Sequence, residues 1–487
     1  MKKTYLLFLF LVTTLCFSQS YTVLNAASGE FLTFQPIFDD SELFGYVELR
    51  IMNIDEKNNV TIKYIALDKN FNTMCSGTFI EKTSNSRRKK KFNDITYSDG
   101  LVRIDFYEFS QALGQDAFPY FKTYQVIDLK KNTVVNNGIY NSEVKEIDKK
   151  YDKIDTKGYV CFSLNKGGFL IQETNPDTKI GNEANFFYAL NAKNEKIWEY
   201  KASRELSKYQ MNYQTLNYDD KYVVLEGFFY KKTKREQRHI QVLDSKTGKE
   251  VLYLPTSSEY TLVREYTYLM NDKIYTGGRF FEKNSKEEYV TDESLGIYQT
   301  IIDIKNNKVI QDKYVKYDQF PDLKINKHGK VRGEGYLSFK RTSINPDGTT
   351  FILGEAYWQK QQYRAYTQLY TFLMDKDFNP VKTVEYEVKR TKGSKYDFSQ
   401  RLANQSGRAY FFFDKNDDKD LELNILNYYF KSKKQAIQKM PITNDDSAIS
   451  VFPAKSGYVG IAEYFKKPEK AGKFMEIRLE KLNYERE

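Results

Sequence analysis

The stretch QVLDSKTGKEV, residues 241–251, contains the pattern that decides the fold. Two apolar residues precede Asp244, a short polar stretch follows, and a second apolar run begins at Val251. Weaker copies lie around Asn427 and at residues 478–485, so the unit recurs about every 50 to 70 residues, the period of a repeat architecture. Five further segments repeat the pattern fully, with its Asp or Asn at Asp68, Asp128, Asn191, Asp303 and Asp375.

Each unit is predicted to contain four antiparallel strands. Strand-forming residues alternate with Lys, Asn, Asp and Glu, which is the period of two expected of half-buried strands. An apolar run with a central Gly precedes most of the hairpins, as in KYVVLEGFFY (221–230) and TTFILGEAYW (349–358). We interpret this run as the second strand of a blade and the Asp hairpin as its third and fourth strands. The array therefore predicts an all-β β-propeller of four-stranded blades.

Eight hairpins predict eight blades. Seven blades remain the alternative, because the first unit opens with an irregular segment from Tyr21 to Glu42 and the last unit lacks a final strand. A strand from Glu30 to Phe38 is expected to pair with the C-terminal blade and close the ring. Closure in this way would remove the exposed sheet edges.

The first residues, MKKTYLLFLFLVTTLCFSQS, are typical of a secretory signal peptide, with Lys2 and Lys3 ahead of an apolar run. Cleavage after Ser18 is expected to leave residues 19–487 as a single propeller domain, exported to the periplasm or the cell exterior. No later segment approaches the roughly 20 apolar residues that span a bilayer. The sequence thus predicts a monomer without a membrane span.

Charge argues against nucleic acid as a partner. Lys2 and Lys3 supply two of the ten net positive charges, so the processed chain carries +8. Charged residues of both signs are spread along every unit, which is typical of a solvated surface. The one basic block, RRKKK at 87–91, is expected in a loop, and no basic motif is interleaved with aromatics as nucleic-acid binding requires.

Histidine content limits the possible chemistry. His239 and His328 are the only two histidines, so a His-rich metal cluster is excluded. The chain contains no GxSxG, HExxH, P-loop or CxxC motif. Carboxylates with Tyr or Arg would still suffice for glycosidase or lyase chemistry. We therefore favour a non-enzymatic binding or scaffolding protein. A carbohydrate-active enzyme with carboxylates in the central channel is the alternative, and a structural envelope component is a third possibility.

Candidate binding residues follow from the strand order. The loops between second and third strands, and the links between units, lie on one face of the disc, here called the loop face; insertions in repeat proteins collect on the binding face. A group of aromatic and Arg residues on this face could stack on a sugar or contact a peptide. Packing within the core or between blades is the alternative role. Arg279 is a further candidate for the channel, with ion pairing as its alternative. The group consists of Trp358, Tyr363, Arg364 and Tyr366.

One segment suggests a cation site, and two cysteines leave a choice. Asp414, Asn416, Asp418 and Asp420 alternate as hard oxygen ligands do at the start of a calcium loop. Lys419 stands where that loop needs Gly, so a polar hairpin loop is the competing interpretation, and no other cofactor is predicted.

The cysteines of units one and three, Cys75 and Cys161, are open to two interpretations: a disulfide in an exported protein, or two buried thiols.

Two resemblances accompany these patterns. The hairpin FYALNAKNEKIWEY (187–200) is similar to the blades of quinoprotein-type propellers, whose fourth strands often carry Trp. Signal style, composition and blade pattern make the whole chain similar to uncharacterised exported propeller-like proteins of Bacteroidota-type bacteria. This likeness implies an envelope location and no known chemistry. The favoured binding function predicts a protein or glycan of the envelope as the partner.

Overall fold

The structure is a computed structural model. It describes residues 20–23, 29–39, 42–83, 88–110, 122–140, 158–164, 166–174, 185–202, 210–231, 234–256, 258–283, 285, 293–415, 421–442, 447–467 and 475–482. Every sheet is antiparallel, and the chain contributes its strands to eight sheets in sequence order. The all-β propeller of eight blades that the repeats predict is thereby confirmed.

The strands of blades 1 to 4 follow one another along the chain without interruption. They are β2 (Glu30–Asp39), β3 (Glu42–Ile54), β4 (Asn59–Asp68) and β5 (Thr73–Lys82); β6 (Arg88–Ser98), β7 (Leu101–Ser110), β8 (Lys122–Asp128) and β9 (Thr133–Ile139); β10 (Gly158–Leu164), β11 (Gly168–Thr174), β12 (Asn185–Leu190) and β13 (Lys196–Lys201); β14 (Gln210–Tyr218), β15 (Tyr222–Lys231), β16 (Lys234–Asp244) and β17 (Glu250–Thr256).

Blades 5 to 8 follow the same order, except that blade 6 gains a fifth strand and blade 8 borrows its last one. Their strands are β18 (Thr261–Met270), β19 (Lys273–Phe281), β20 (Gly296–Asp303) and β21 (Lys308–Lys316); β22 (Lys330–Val331), β23 (Gly335–Ile344), β24 (Thr350–Gln359), β25 (Arg364–Met374) and β26 (Pro380–Tyr386); β27 (Tyr396–Arg401), β28 (Gly407–Lys415), β29 (Leu421–Tyr429) and β30 (Gln435–Pro441); β31 (Ser447–Pro453), β32 (Tyr458–Phe465), β33 (Met475–Lys481) and, from the N-terminus, β1 (Ser20–Val23).

The first strand of each blade lies innermost. First strands of neighbouring blades contact one another around the axis, as β2 does with β6 and β18 with β23. The second and third strands are the most deeply buried, while the fourth strands face solvent. The hydrophobic cores lie between blades, since one cluster joins Ile62 of blade 1 to Phe106 of blade 2.

Ring closure is achieved by a different strand from the one that the sequence suggests. The N-terminal strand β1 pairs with β33, with Tyr21 opposite Ile477, and so becomes the outer strand of blade 8. The prediction that residues 30–38 close the ring is wrong. Glu30–Asp39 instead forms the inner strand of blade 1, because its apolar residues pack against β3 and the neighbouring blade 8. The missing last strand of the final unit is confirmed.

The Asp of each repeat holds the turn between third and fourth strands. The Asp68 carboxylate accepts the backbone N–H of Asn70 at 2.7 Å and of Asn72 at 2.9 Å. Three or four residues after the Asp, or after Asn191 or Tyr429 in the same place, the backbone enters the left-handed region in all seven such turns of the described chain. This conformation matches a type I turn followed by a bulge. The seven left-handed residues are Phe71, Asn132, Asn194, Gly248, Asn307, Phe378 and Lys433.

A bulge follows in the fourth strand of blades 1 to 6. The additional residue has no partner in the ladder and is an exposed aliphatic or Met side chain in every case. Bulges bend the outer strand and interrupt the regular backbone edge with which another chain could pair. The bulged residues are Met74, Val135, Ile197, Val251, Ile310 and Val381.

Aromatic side chains connect the turns of blades 2, 3 and 4 to the preceding blade. Tyr64 donates its hydroxyl to Asn132 Oδ1 at 2.9 Å, and the Trp198 indole N–H donates to the Ser245 carbonyl at 2.9 Å. Trp198 also fills the space above Gly248, where a Cβ atom would lie 2.5 Å from the ring. Trp198 therefore packs between blades 3 and 4.

Two further features settle questions that the sequence left open. Cys75 and Cys161 are both free and buried, and they lie in the cores of different blades.

The prediction of a loop at RRKKK is wrong in part, since Arg88 begins β6. Lys90 of this block is buried and lies 3.0 Å from the Glu81 carboxylate of blade 1. A basic residue can occupy an inner strand here because a buried carboxylate compensates its charge.

The closing strand predicts a stability test. Successive N–H groups of an antiparallel strand point alternately toward and away from its partner, so replacing both Tyr21 and Thr22 by Pro removes the one that can bond to β33. We expect the urea midpoint of the protein to fall and β33 to lose amide protection from hydrogen exchange. The double Ala variant keeps both N–H groups and should stay close to the parent. Equal stability of the Pro and Ala variants would contradict closure by residues 20–23.

The hydrogen bonds of the Asp turns predict a second stability test. The Asp375 carboxylate accepts N–H groups from Asp377 at 2.9 Å and Asn379 at 2.7 Å. Although partial burial acts to raise its pKa, these hydrogen bonds and that of the Asn379 amide lower the pKa of Asp375 below its ordinary value. Asp375→Ala should lower the free energy of unfolding by about 1 kcal/mol. Asp377→Ala, at an exposed neighbouring residue, is the matched control.

The same variant predicts a pH dependence. Because the native pKa of Asp375 is lowered, the unfolded chain binds the proton more readily at low pH. The stability difference between parent and Asp375→Ala should therefore be fully present above the ordinary aspartate pKa of about 3.9. It should disappear as the pH falls through the native value. Urea unfolding at several pH values measures it, and a constant difference would contradict this role for Asp375.

Candidate functional site on the loop face of blade 6

Antiparallel order places the second-to-third loops and the inter-blade links on one side of the disc, as predicted. Blade 6 carries the largest described elaboration of this loop face. Its surroundings are described without interruption from residue 293 to residue 415. Three segments meet there: the link 317–334 from blade 5, the tip of the β24–β25 hairpin at 358–364, and the link 387–395 to blade 7.

The link from blade 5 is a packed structure. A short 3-10 turn at Tyr317–Gln319 buries Tyr317 and is followed by Phe320, which packs against Phe372 of blade 6. β22 then pairs with the start of β23, on the axial side of blade 6. Burial of Val331 anchors this strand in the same core. Lys330 is thereby held at the inner edge of the loop face.

The hairpin tip presents two of the predicted aromatics with a cation beside each. The Lys330 ammonium lies 4.7 Å from the centre of the Trp358 ring, and the Lys392 ammonium lies 5.3 Å from that of Tyr363. Trp358 is half-buried, whereas Tyr363 is 42% exposed. Both rings can therefore contact a ligand without a change of fold. Such contacts between ammonium and ring contribute about 0.5–1 kcal/mol at exposed sites.

The other two predicted residues of the hairpin point into the structure. The Arg364 guanidinium stacks over the buried Tyr357 ring at 4.5 Å. Tyr366 is buried, and its hydroxyl accepts a hydrogen bond from Lys340 at 3.0 Å. The four residues predicted to act together thus divide into an outer pair, Trp358 and Tyr363, and a supporting pair.

Arg279 forms an ion pair near the axis. Its Nε lies 2.6 Å from Glu265 Oε1, and the Arg and Glu side chains are only 11% and 18% exposed. Glu265 is the bulged residue of inner strand β18. Burial raises the pKa of Glu265, and the charge of Arg279 partly opposes that increase. Ion pairing, the plain alternative for Arg279, is the contact that the structure shows.

Two other carboxyl groups on inner strands also have a raised pKa. Burial raises the pKa of Asp94 in blade 2 and of Asp397 in blade 7 above the ordinary aspartate value. Asp397, like Glu265, is the unpaired residue of a bulge in its strand. Among the described residues, no three His, Cys, Asp or Glu side chains are grouped so that they could hold a metal ion.

A cleft of about 540 Å³ opens beside the hairpin, and sequence reasoning did not identify it. Its charged lining comes from Glu334, Glu385, Glu387 and Arg390, and Thr367, Gln368 and Val388 complete it. Buried Tyr370 lies close to the cleft: burial raises its pKa, and the negative charges of Glu385 and Glu334 add to this effect. The contributing segments are far apart in sequence, so no local motif could have revealed the cleft.

The wall of the cleft is fixed from behind. The Lys389 N–H donates to both carboxylate oxygens of Asp414, at 2.9 and 3.1 Å, and Thr391 and Tyr366 exchange backbone hydrogen bonds at 2.8 and 3.0 Å. Lys395 is buried and donates its ammonium to the Lys389 carbonyl. Burial lowers the pKa of Lys395, and the charges of Asp414 and Glu355 partly oppose that decrease.

Glu355 connects this wall to blade 6. Its carboxylate accepts the Lys395 N–H at 2.8 Å, the Tyr396 N–H at 3.1 Å and the Ser394 hydroxyl at 2.7 Å. The Lys340 ammonium lies 3.4 Å away. One buried carboxylate thus fixes the start of blade 7 against blade 6, and with it the link that carries Arg390 and Lys392.

Asp414 takes part in this support. Its carboxylate is 6% exposed as a residue and receives the two Lys389 contacts described above. Asn416, Asp418 and Asp420 lie outside the described residues, in the β28–β29 connection. The calcium site predicted at these four residues stays a prediction. No helix among the described residues is long and apolar enough to span a membrane.

Comparison with known families gives a match over part of the chain. Residues 361–483 match a family model described as a family of unknown function. This stretch begins in the hairpin tip of blade 6 and extends into blade 8. A comparison with curated proteins finds no match.

Comparison with solved structures returns β-propellers and proteins of varied function. The WD40 domain of SCAP from fission yeast is 9% identical, with 94% of this chain and 97% of that one covered and a TM-score of 0.43. A quinohemoprotein alcohol dehydrogenase from Pseudomonas putida is 10% identical, with coverages of 96% and 77% and a TM-score of 0.44. A protein of unknown function from Bacteroides caccae is 8% identical, with coverages of 69% and 93% and a TM-score of 0.27.

Glu355 provides the test of how the site is supported. Glu355→Ala should lower the free energy of unfolding by about 3–5 kcal/mol, because it leaves Lys340 and three donors of blade 7 without their buried acceptor. Glu385→Ala, at an exposed residue of the cleft rim, should change it by less than about 0.5 kcal/mol. Urea unfolding of both variants measures the difference. Similar values for the two variants would show that Glu355 does not hold the wall.

Proposed function

We propose that the protein is an exported, non-enzymatic binding or scaffolding propeller that recognises a protein or glycan of the cell envelope with its loop face. Export rests on the signal peptide predicted over residues 1–18, and the proposed location is the periplasm or the cell exterior. The resemblance to uncharacterised exported proteins of Bacteroidota-type bacteria is compatible with this location. We propose that it acts as a monomer.

One observation carries the proposal. On the loop face of blade 6, the accessible rings of Trp358 and Tyr363 stand beside a cleft with charged walls, and buried groups fix the backbone beneath them. Aromatic anchors next to orienting polar groups on a rigid support are the usual composition of a recognition surface. A site assembled in advance loses little conformational entropy when it binds.

The carbohydrate-active enzyme remains the second hypothesis without an observation that favours it. The inner-strand carboxyls Asp94, Glu265 and Asp397 belong to three different blades. Glu265 is engaged by Arg279 at 2.6 Å. Hydrolase or lyase chemistry needs two groups placed on either side of one bond.

The test compares paired surfaces of the same protein. The protein without residues 1–18 is labelled and incubated with isolated cell envelopes, and the bound fraction is measured after sedimentation. Trp358→Ala combined with Tyr363→Ala should reduce binding to envelopes at least about tenfold, since central aromatic residues dominate interface energies.

The matched control removes exposed apolar groups elsewhere. Ile197→Ala combined with Val381→Ala changes two fourth-strand residues that are each 55% exposed. This control should bind as the parent does, and thermal unfolding of both double variants checks that they are folded. Loss of binding in the control alone, or unchanged binding in the Trp358 and Tyr363 variant, would contradict recognition by the loop face of blade 6.

A further inference from the structure

One part of each of the three segments that meet at the loop face of blade 6 carries only positive charge, while the rest of the two links contains Asp318, Asp322, Glu334 and Glu387. Residues 324–333, 358–364 and 389–395 contain four, two and four Lys or Arg residues, and no Asp or Glu. Nine of these ten cations are exposed or half-buried, and Lys395 is the buried one. Across the whole chain the two signs are nearly balanced, at 75 basic and 65 acidic residues. The charge separation at this surface is therefore local.

The cations accompany the aromatic rings. Lys330 lies 4.7 Å from the Trp358 ring centre and 6.0 Å from that of Tyr336, so it stands between two rings. Lys392 lies beside Tyr363, and Lys360 caps the hairpin by donating its backbone N–H to the Tyr363 carbonyl at 2.9 Å. Within the described part of the chain, Lys330, Lys360 and Lys392 form no ion pair. Their charge is available to a ligand.

The spacing of the rings suits an extended ligand. Trp358 lies in β24 and pairs with Ala365 of β25, and Tyr363 lies in the connecting loop, two residues before Ala365. Two residues correspond to roughly 7 Å of backbone at the rise of a strand. Sugar rings present C–H faces that stack on aromatic rings, and a carboxylate on the sugar would meet the ammonium groups beside them.

We infer that this surface binds an anionic glycan, a chain of sugars that carry carboxylates, with Trp358 and Tyr363 as stacking platforms and Lys330, Lys360 and Lys392 as carboxylate partners. The inference rests on the proposed function and specifies its ligand. The neighbouring carboxylates Glu334, Glu385 and Glu387 line the adjacent cleft. These carboxylates repel a chain of carboxylate sugars and so limit where on the surface that chain can lie.

Tryptophan fluorescence provides a direct measurement. The chain has two tryptophans, and Trp198 is buried against blade 4, so an added ligand can reach only Trp358. The protein without residues 1–18 is titrated with oligogalacturonate and with a neutral oligosaccharide of equal length. We expect saturable quenching by oligogalacturonate, weakened by salt as expected of charged partners, and at least about tenfold weaker binding of the neutral sugar.

Variants separate the two kinds of contact. Lys360→Met with Lys392→Met should weaken oligogalacturonate binding roughly tenfold and reduce its salt dependence. The control, Lys193→Met with Lys246→Met, removes two exposed charges from turns on the opposite face and should change the affinity less than about twofold. Trp358→Ala, followed by calorimetry, should weaken binding while keeping the salt dependence. Thermal unfolding confirms that each variant is folded.

Other results would overturn the inference in distinguishable ways. Equal affinity for the neutral oligosaccharide, abolished by Trp358→Ala, would refute the anionic ligand and keep recognition by the loop face. Absence of oligogalacturonate binding together with envelope binding that needs Trp358 would have the same meaning. Tighter binding to vesicles of anionic phospholipid, lost in the Lys360 and Lys392 variant, would assign the surface to a membrane instead. Failure of both the glycan and the envelope tests would refute the proposed function as well.

Discussion

The pairing of β1 with β33 is the constraint on which the ring depends. Seven blades can form from consecutive segments, but blade 8 has only three strands until Ser20–Val23 adds its outer one. The two ends of the chain are thereby joined in one sheet, and each blade gains a neighbour on both sides. Cores that lie between blades can be buried fully only in such a closed arrangement, as the cluster shared by Tyr46 of blade 1 and Met475 of blade 8 illustrates.

Within this ring, blade 6 shows how a repeated unit acquires an individual surface. The link 317–334 contributes β22 and Lys330, while the link 387–395 contributes Arg390 and Lys392. Buried polar groups, above all Glu355, hold these links against the regular strands. Glu355 and Asp414 compensate charges beneath the surface, whereas Lys330, Lys360 and Lys392 form no ion pair within the described residues. On this basis we propose that recognition is concentrated on one sector of the loop face.

Much of the fold could be predicted because its determinants are local. Asp68, Asp128, Asp244 and Asp375 specify their turns through backbone hydrogen bonds within four residues, so the repeats, the strand order and the blade number follow from the sequence. Closure could not be predicted, since a four-residue strand with no repeat of its own gives no periodic signal. The candidate site was found only in part. Trp358 and Tyr363 stood out as aromatics near a polar loop, whereas Lys330 and Lys392 reach them from links about 30 residues away in sequence.

Hydrogen exchange of the protein with and without a saturating anionic oligosaccharide tests whether recognition is concentrated on this sector. We expect slower amide exchange at residues 358–364 and 389–395, and unchanged exchange in the Asp turns of the opposite face. Protection confined to those turns or to the inner strands around Glu265, with none at the hairpin tip, would contradict it.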